Sequence, residues 1–305
     1  MPELPEVEVV RQGLADKLVG QQFKSVVIRQ SQLRWPIPAN LPEQLCEQRI
    51  ISVSRRAKYL LIEVPSGWLI VHLGMTGSLV WQNHADFANV ARLAQHDHVV
   101  FKLTRGDLTY NDPRRFGAML WHPKRALASS ECAGAVELGS NAGFASSDGL
   151  GISSELASFR LFAKLGVEPL SPAFQVASFF QSTRGRSLSI KQFLLSGVAV
   201  VGVGNIYCSE ALFRSGIRPT RAAGRLTLKQ VRALHEQIRL TLAEAIAKGG
   251  STLRDFVNSE GQSGYFQLDY FVYGRTGLAC KRCAGMIKQI TQQQRSSFYC
   301  PSCQG

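Results

Sequence analysis

Apolar residues recur at helical spacing near the start of the chain, at Val7, Val10, Leu14 and Leu18. One face of an amphipathic helix is predicted there, with Pro5 suited to its first turn. From Phe23 to about Trp121 the period shortens. Lys58 to Val64 and Trp68 to Leu73 flank Pro65, Ser66 and Gly67, and Val99 to Leu103 meets Leu108 to Asn111 across Thr104 to Asp107. Short apolar runs joined by tight turns predict antiparallel hairpins and a β-sandwich. Helical spacing then returns. Leu228, Val231, Leu234, Ile238, Leu242 and Ile246 mark one face of a long helix ending at Gly249 and Gly250, and a second helix is predicted from Asn205 to about Arg214. The fold class is α+β, a β-sandwich with a leading helix followed by a mainly helical part.

Between these parts the pattern lapses. Ser129 to Ser158 holds eight Ser, five Gly and five Ala and neither Lys nor Arg, the composition of a flexible linker with no charge to offer a polyanion.

Charge narrows the function classes. Across 305 residues, 35 Lys plus Arg against 22 Asp plus Glu leave a net +13, which favours a polyanionic partner. No basic amphipathic helix suits a membrane surface and no apolar run suits a span, so nucleic acid is the expected partner. The start, MPELPEVEVV, is acidic where a secretory signal needs positive charge. Seven cysteines, four of them near the end of the chain, suggest metal binding in a reducing compartment, hence the cytoplasm.

Cys280, Cys283, Cys300 and Cys303 form C-x2-C, sixteen intervening residues, then C-x2-C. This spacing lets two knuckles supply four thiolates to one tetrahedral zinc, and four sulfurs leave no open position for water, so the expected zinc is structural. Arg295, Ser296 and Ser297 lie in the intervening loop, where a stiffened tip presents a guanidinium to phosphate or base. Cys46, Cys132 and Cys208 lack such spacing and read as small incidental residues. His96 and His98 share one face of a strand without a third ligand, which favours a structural role.

Removal of Met1 makes Pro2 a secondary amine with a pKa near the α-amino range of about 7.7–8.0. Such an amine can attack a sugar's anomeric carbon and form a Schiff base. Glu3 and Glu6 are candidate proton donors and acceptors, although the same carboxylates equally complement a helix N-terminus. Gly202-Val203-Gly204 precedes a predicted helix, whose first N–H groups either hold phosphate or belong to a packing turn. Asp112-Pro113-Arg114-Arg115-Phe116-Gly117 joins a turn to two guanidiniums and a ring, the parts of a wedge for duplex DNA or of an ordinary surface turn. Lys58, behind Arg55 and Arg56, is a solvated basic edge or a site amine.

Together these pieces resemble the bacterial formamidopyrimidine-DNA glycosylase family, also called 8-oxoguanine DNA glycosylase. The match runs through PELPEVE, RRAKYL, HLGMTGSL, HDHV, NDPRRFG, LGVEPL, VGVGNIYCSEALF, GGSTLRDF, GYF, VYGR and the terminal cysteines with QQRSSFYC. The resemblance implies a monomer that grips double-stranded DNA bearing an oxidised base. Its expected parts are a catalytic β-sandwich over 1–126, a linker over 127–165, a helix-two-turn-helix domain over 166–260, and a lesion loop with a four-cysteine zinc finger over 261–305.

The resemblance implies Pro2 as Schiff-base nucleophile, Glu3 as the acid that helps open the deoxyribose, and Glu6 in support. Lys58 would hold phosphate and assist catalysis. Asn205 and Arg295 would bind the backbone around the lesion, and Lys191 and Arg254 would lie close to DNA. Met75, Arg114 and Phe116 would fill the gap left by the flipped nucleotide, with Arg114 facing the orphaned cytosine, before β,δ-elimination cuts the strand. The loop over the flipped base is expected within Phe256 to Gln267. Two alternatives remain: an endonuclease VIII-type enzyme for oxidised pyrimidines, against which Leu4 in PELPE and Phe116 speak, and a non-catalytic lesion-binding protein of the same fold.

Overall fold

The computed structural model describes residues 2–86, 94–124, 154–157, 159–250 and 270–305. Helix α1 (Leu4–Leu18) carries Pro5 in its first turn and buries Val7, Val10, Leu14 and Leu18, as its spacing predicts. Strands follow: β1 (Phe23–Ile28), then the short helix α2 (Leu41–Leu45), β2 (Ser52–Arg56), β3 (Tyr59–Val64), β4 (Gly67–His72), β5 (Ser78–Asn83), β6 (Asp97–Leu103), β7 (Gly106–Asn111) and β8 (Ala118–Pro123). They form two four-stranded sheets, ordered β1-β6-β7-β5 and β2-β3-β4-β8, with every pairing antiparallel. Phe23, Leu60, Ile62, Leu69, Val71, Leu79, Phe101 and Leu108 fill one core with the inner face of α1, the alternation expected of packed sheets.

The outer face of the second sheet is covered as well. Leu61, Trp68 and Ile70 pack against Leu156 from α3 (Ser154–Ala157) and against Phe162. The linker expected over 127–165 therefore ends earlier than its composition suggests, because Leu156 and Phe162 are buried. The rest of the Ser/Gly/Ala-rich stretch lies outside the described residues.

The second part contains α4 (Val176–Thr183), α5 (Ile190–Leu195), α6 (Asn205–Arg214) and α7 (Leu228–Ala247) around a separate core. Thr227 caps α7, its hydroxyl accepting from the Gln230 N–H at 3.3 Å while the Gln230 side chain accepts from the Thr227 N–H at 3.0 Å, a reciprocal cap that fixes the start. Val231, Leu234, Ile238 and Leu242 are buried, whereas Leu228 is exposed. At the first helical position it sits before the stripe has turned inward. A third core joins Phe213 and Val272 to Cys280, Ile287, Phe298 and Cys300, beneath the hairpin of β9 (Lys288–Gln292) and β10 (Arg295–Tyr299).

Two carboxylates stitch these parts together. Glu168 accepts from Arg55 at 2.8 Å, Arg56 at 3.0 Å and the Ala57 N–H at 2.7 Å. It thereby clamps the β2–β3 turn, where Ala57 adopts a left-handed φ of 52°. Glu210, inside α6, accepts the N–H groups of Phe271, Val272 and Tyr273 at 2.9–3.0 Å and ties the zinc-finger approach to the helical core. Each buried charge is met by several donors, the condition under which burial is tolerated.

Candidate active site and DNA interface

The first residues of the chain lie buried between the two main parts. Pro2 and Glu3 are buried at the head of α1, and the Glu3 N–H donates to Glu6 Oε2 at 2.7 Å. The Glu3 side chain caps its own helix in a reciprocal box with Glu6 and also reaches across to α6. Its oxygens accept the Ile206 N–H at 3.1 Å and the Tyr207 N–H at 3.5 Å. The N–H groups opening α6, candidates for holding phosphate, thus hold a carboxylate of the protein. Their positive end suits it.

The glycines before α6 permit that approach. A Cβ on Gly204 would overlap the Glu3 carboxyl group, and one on Gly202 would overlap the Leu4 side chain. Close packing, rather than a dinucleotide turn, accounts for Gly-Val-Gly here.

Glu3 lies near an ammonium. Burial raises its pKa, Glu6 adds to the rise, and the Lys58 charge and the two N–H groups oppose it without cancelling it. Burial likewise lowers the Lys58 pKa; Glu3 opposes this and Arg295 deepens it. An acid and an amine are thus drawn toward each other's range, a pattern concentrated at functional sites. Beside Lys58 lies a cavity of about 160 Å³ whose lining includes Tyr59, His72, Leu165, Ser196 and Gly202. His72, not singled out in the sequence, accepts the Gly74 N–H on Nδ1 at 3.0 Å, and burial with the Lys58 and Arg34 charges lowers its pKa to about 4. It is therefore neutral at pH 7.

Arg295 opens β10 on the exposed side of a hairpin whose two turn residues, Gln293 and Gln294, have φ of 45° and 61°. Two left-handed residues are what a tight hairpin of this twist requires. Lys191 turns inward. It is 1% exposed, and its ammonium donates to the Ser296 carbonyl at 2.6 Å and Ser297 Oγ at 2.8 Å, pinning β10 to α5; burial brings its pKa down to about 8. Asn205 opens α6, and its Oδ1 is buried with no partner among the described residues. Arg254 and the segment Phe256 to Gln267 lie outside the described residues.

The wedge candidates gather on the turns after β4 and before β8, at the end of the sheet where Tyr59 pairs with His72 and His72 with Ala118. Met75 is 38% exposed and Phe116 50%, and the Arg114 guanidinium reaches Met75 Sδ at 4.0 Å. Beneath them Asp112 is fully buried. It accepts from Tyr110 Oη at 3.1 Å, the Gly117 N–H at 2.8 Å and Thr76 Oγ1 at 2.5 Å, while Thr76 Oγ1 accepts the Arg114 N–H at 3.2 Å. His98 Nε2 lies 2.8 Å from the Asp112 carbonyl oxygen, which gives that histidine a structural use.

The four cysteine sulfurs lie within 4.8 Å of one another. Cys280 and Cys303 are separated by 3.9 Å and Cys283 and Cys300 by 3.5 Å. Tetrahedral thiolates about 2.3 Å from a metal stand roughly 3.8 Å apart, so the cluster fits a bound metal. Cys46 is exposed and Cys208 buried.

Sequence reading passed over Glu168, Tyr207 and Glu210. The available signal was a lone acid within an otherwise apolar stretch, Val-Glu-Pro-Leu and Ser-Glu-Ala-Leu-Phe, which marks a buried carboxylate that must find donors.

Known proteins resemble the chain along its whole length. Residues 1–119 match the formamidopyrimidine-DNA glycosylase N-terminal domain, 165–257 its H2TH domain, and 277–305 a zinc finger found in FPG and IleRS. Formamidopyrimidine-DNA glycosylases of Burkholderia vietnamiensis and Paraburkholderia phytofirmans are 50% and 51% identical over 304 residues, covering 100% of both chains. A variant Lactococcus lactis FPG in complex with a Fapy-dG containing DNA superposes with a TM-score of 0.82 at 30% identity over 99% of each chain. MutM (FPG) of Thermus thermophilus gives 0.79 at 32% identity over 100% of this chain and 99% of that one. With a buried acid at its N-terminus, a lysine-lined cavity beside it, a four-cysteine cluster and this full-length similarity, the chain belongs to the formamidopyrimidine-DNA glycosylase family.

Proposed function

We propose that the chain is a bifunctional glycosylase and AP lyase of base-excision repair, acting on 8-oxoguanine opposite cytosine and on formamidopyrimidines. The observation that carries the reading is the placement of Glu3 at the buried N-terminus beside Lys58, with its pKa raised by burial. Once Met1 is removed, the Pro2 amine attacks C1′ of the damaged nucleotide and the base leaves. Glu3, holding its proton to higher pH than an exposed glutamate, donates to the ring oxygen as the sugar opens to a Schiff base. Successive β- and δ-elimination then cut the strand on both sides of the sugar.

Lys58, Asn205 and Arg295 bind the phosphates flanking the lesion in this reading, and Arg254 lies near them. Lys191 serves the same surface from below, by holding the strand that carries Arg295. Met75, Arg114 and Phe116 occupy the space vacated in the duplex, which keeps the extruded state populated against a cost of a few kcal/mol. Cys280, Cys283, Cys300 and Cys303 hold one structural zinc, which stiffens the hairpin and takes no part in the chemistry. No described helix is long and apolar enough to cross a membrane; we place the enzyme, as a monomer, in the cytoplasm on nucleoid DNA.

Borohydride trapping on a duplex carrying 8-oxoguanine opposite cytosine tests the mechanism. A covalent adduct should form with the processed chain and not with one bearing an extra residue ahead of Pro2. An adduct of equal yield from the blocked chain would overturn it. Faster excision of thymine glycol than of 8-oxoguanine would favour the endonuclease VIII-type reading instead.

A further inference from the structure

Both acids at the head of α1 converge on one side chain of the helical part. Tyr207, buried in the first turn of α6, gives its backbone N–H to Glu3 at 3.5 Å and its hydroxyl to Glu6 Oε1 at 2.5 Å. The other Glu6 oxygen accepts the Glu3 N–H at 2.7 Å. Glu6 and Tyr207 are both 0% exposed. A continuous chain of hydrogen bonds therefore runs from the Tyr207 hydroxyl through the Glu6 carboxylate to the peptide that immediately follows the Pro2 ring.

A carboxylate gripped by a donor on each oxygen cannot rotate without losing one of them. The plane of Glu6 thus fixes the peptide joining residues 2 and 3, which leaves the direction of the ring nitrogen to one torsion, ψ of Pro2, in a ring that is itself buried. Resting on the reading of Pro2 as nucleophile, we infer that Tyr207 is a positioning residue for the N-terminal amine, acting through Glu6. Its hydroxyl aims the amine and draws negative charge off the carboxylate beside it.

The donor is durable. Burial, then the Glu6 charge and hydrogen bond, push the Tyr207 phenol well above its ordinary range, so the hydroxyl keeps its proton wherever the enzyme works. The charged and titratable groups facing the cluster are Glu3 on α1, Lys58 on the β2–β3 turn, Arg295 on β10, Lys191 on α5, Cys208 on α6 and Tyr270 ahead of the zinc finger. Of these, Glu3, Lys58, Arg295 and Lys191 act on the cluster through their charge, whereas Tyr207 donates directly to Glu6 Oε1. The sign follows. A hydroxyl that disperses the Glu6 charge makes an ammonium at Pro2 less favourable, so the amine becomes free at lower pH; its loss moves the onset of reaction upward.

The test is single-turnover borohydride trapping on an abasic duplex, from pH 5 to 9, with processed wild type, Tyr207→Phe, Glu6→Gln and the double variant. Phe retains the ring and removes only the donor. Expected for Tyr207→Phe are a plateau rate roughly 10- to 100-fold lower, a rising limb displaced upward by about one pH unit, unchanged affinity for the duplex, and no added effect on top of Glu6→Gln. A wild-type rate and limb in Tyr207→Phe would overturn the inference. So would weaker DNA binding with an unmoved limb, which assigns Tyr207 to packing alone. If Tyr207→Phe does not fold, 3-fluorotyrosine in place of Tyr207 decides the matter: a stronger donor in the same ring should move the limb downward, and an unmoved limb refutes the role. Absence of any adduct from wild type instead removes Pro2 as nucleophile, a failure distinct from that of Tyr207.

Discussion

The wedge turn and the N-terminal cluster are each built on a buried carboxylate, and they use it in opposite ways. Asp112 draws its donors from Thr76, Tyr110 and Gly117, all within the sandwich and all neutral. Those donors satisfy it and leave it with nothing further to do. Glu3, besides capping its own helix, takes two backbone N–H groups, one of them long, from a helix of the other part, and it shares its surroundings with Lys58 and Glu6. Its burial is incompletely compensated and its pKa is raised. A fully satisfied acid makes scaffold, while an under-satisfied one beside an amine is suited to the chemistry proposed above.

Neutralising Glu3 has the largest expected effect on this contrast. Glu3→Gln should cut single-turnover excision about 10³-fold, within the usual range for removing an acid–base group, with duplex affinity retained. The same variant should melt higher than wild type at neutral pH. A raised folded-state pKa means that burying the ionised Glu3 costs stability above that pKa, and the cost vanishes below the ordinary carboxylate value of 4.5. Calorimetry across that range should find the gap of a few degrees closing as pH falls; a gap independent of pH would contradict the assignment of burial as the cause.

Asp112→Ala should behave in the reverse manner. Three stranded donors and a small void predict a loss of about 3 kcal/mol in urea unfolding, with excision falling only because the wedge loses its base. Next in size, Cys300→Ser should abolish metal retention, read as zinc released to a chromophoric chelator, and weaken duplex binding about tenfold as Arg295 loses its rigid hairpin. Phe116→Ala should slow excision from a duplex severalfold without changing the melting temperature, since the ring is half exposed, and equal slowing on single-stranded substrate would remove it from the wedge. The smallest effect is expected from deleting residues 129–153, whose composition offers no charge to DNA; near-wild-type excision should remain. Leu156 must be kept, because it packs on the sheet.

The two regions also differ in how far the sequence disclosed them. The wedge was legible because most of its parts lie close together: Asp112, Arg114, Phe116 and Gly117 fall in one turn just after Tyr110, while Met75, Thr76 and His98 come from elsewhere. The four-cysteine cluster was legible for the same reason, its members recurring at a diagnostic interval. The helical stripe of α1 and the hairpins of the sandwich followed from period alone. The Glu3 cluster was not legible, since Glu3 meets Ile206 and Tyr207 across some 200 positions and local reading left it equally able to cap its own helix. Lys191 shows the opposite hazard. A basic residue expected near DNA is folded inward against Ser296 and Ser297, and no local pattern reports the direction of a lysine stem.

Pro2 and Glu3, made first, come to rest beneath Gly204, Ile206 and Tyr207, made some two-thirds of a chain later. The site is therefore enclosed only after α6 has left the ribosome and docked. Any peptidase that trims Met1 must reach the N-terminus during that interval, while the head of α1 is still uncovered. On the proposed reading of Pro2 as nucleophile, slowing the trimming, or hastening the docking, would seal in a protein of normal fold and normal grip on DNA that has no amine to offer. The burial that sharpens Glu3 thus sets a deadline in biosynthesis, and the fraction of active molecules in a preparation becomes a record of which process finished first.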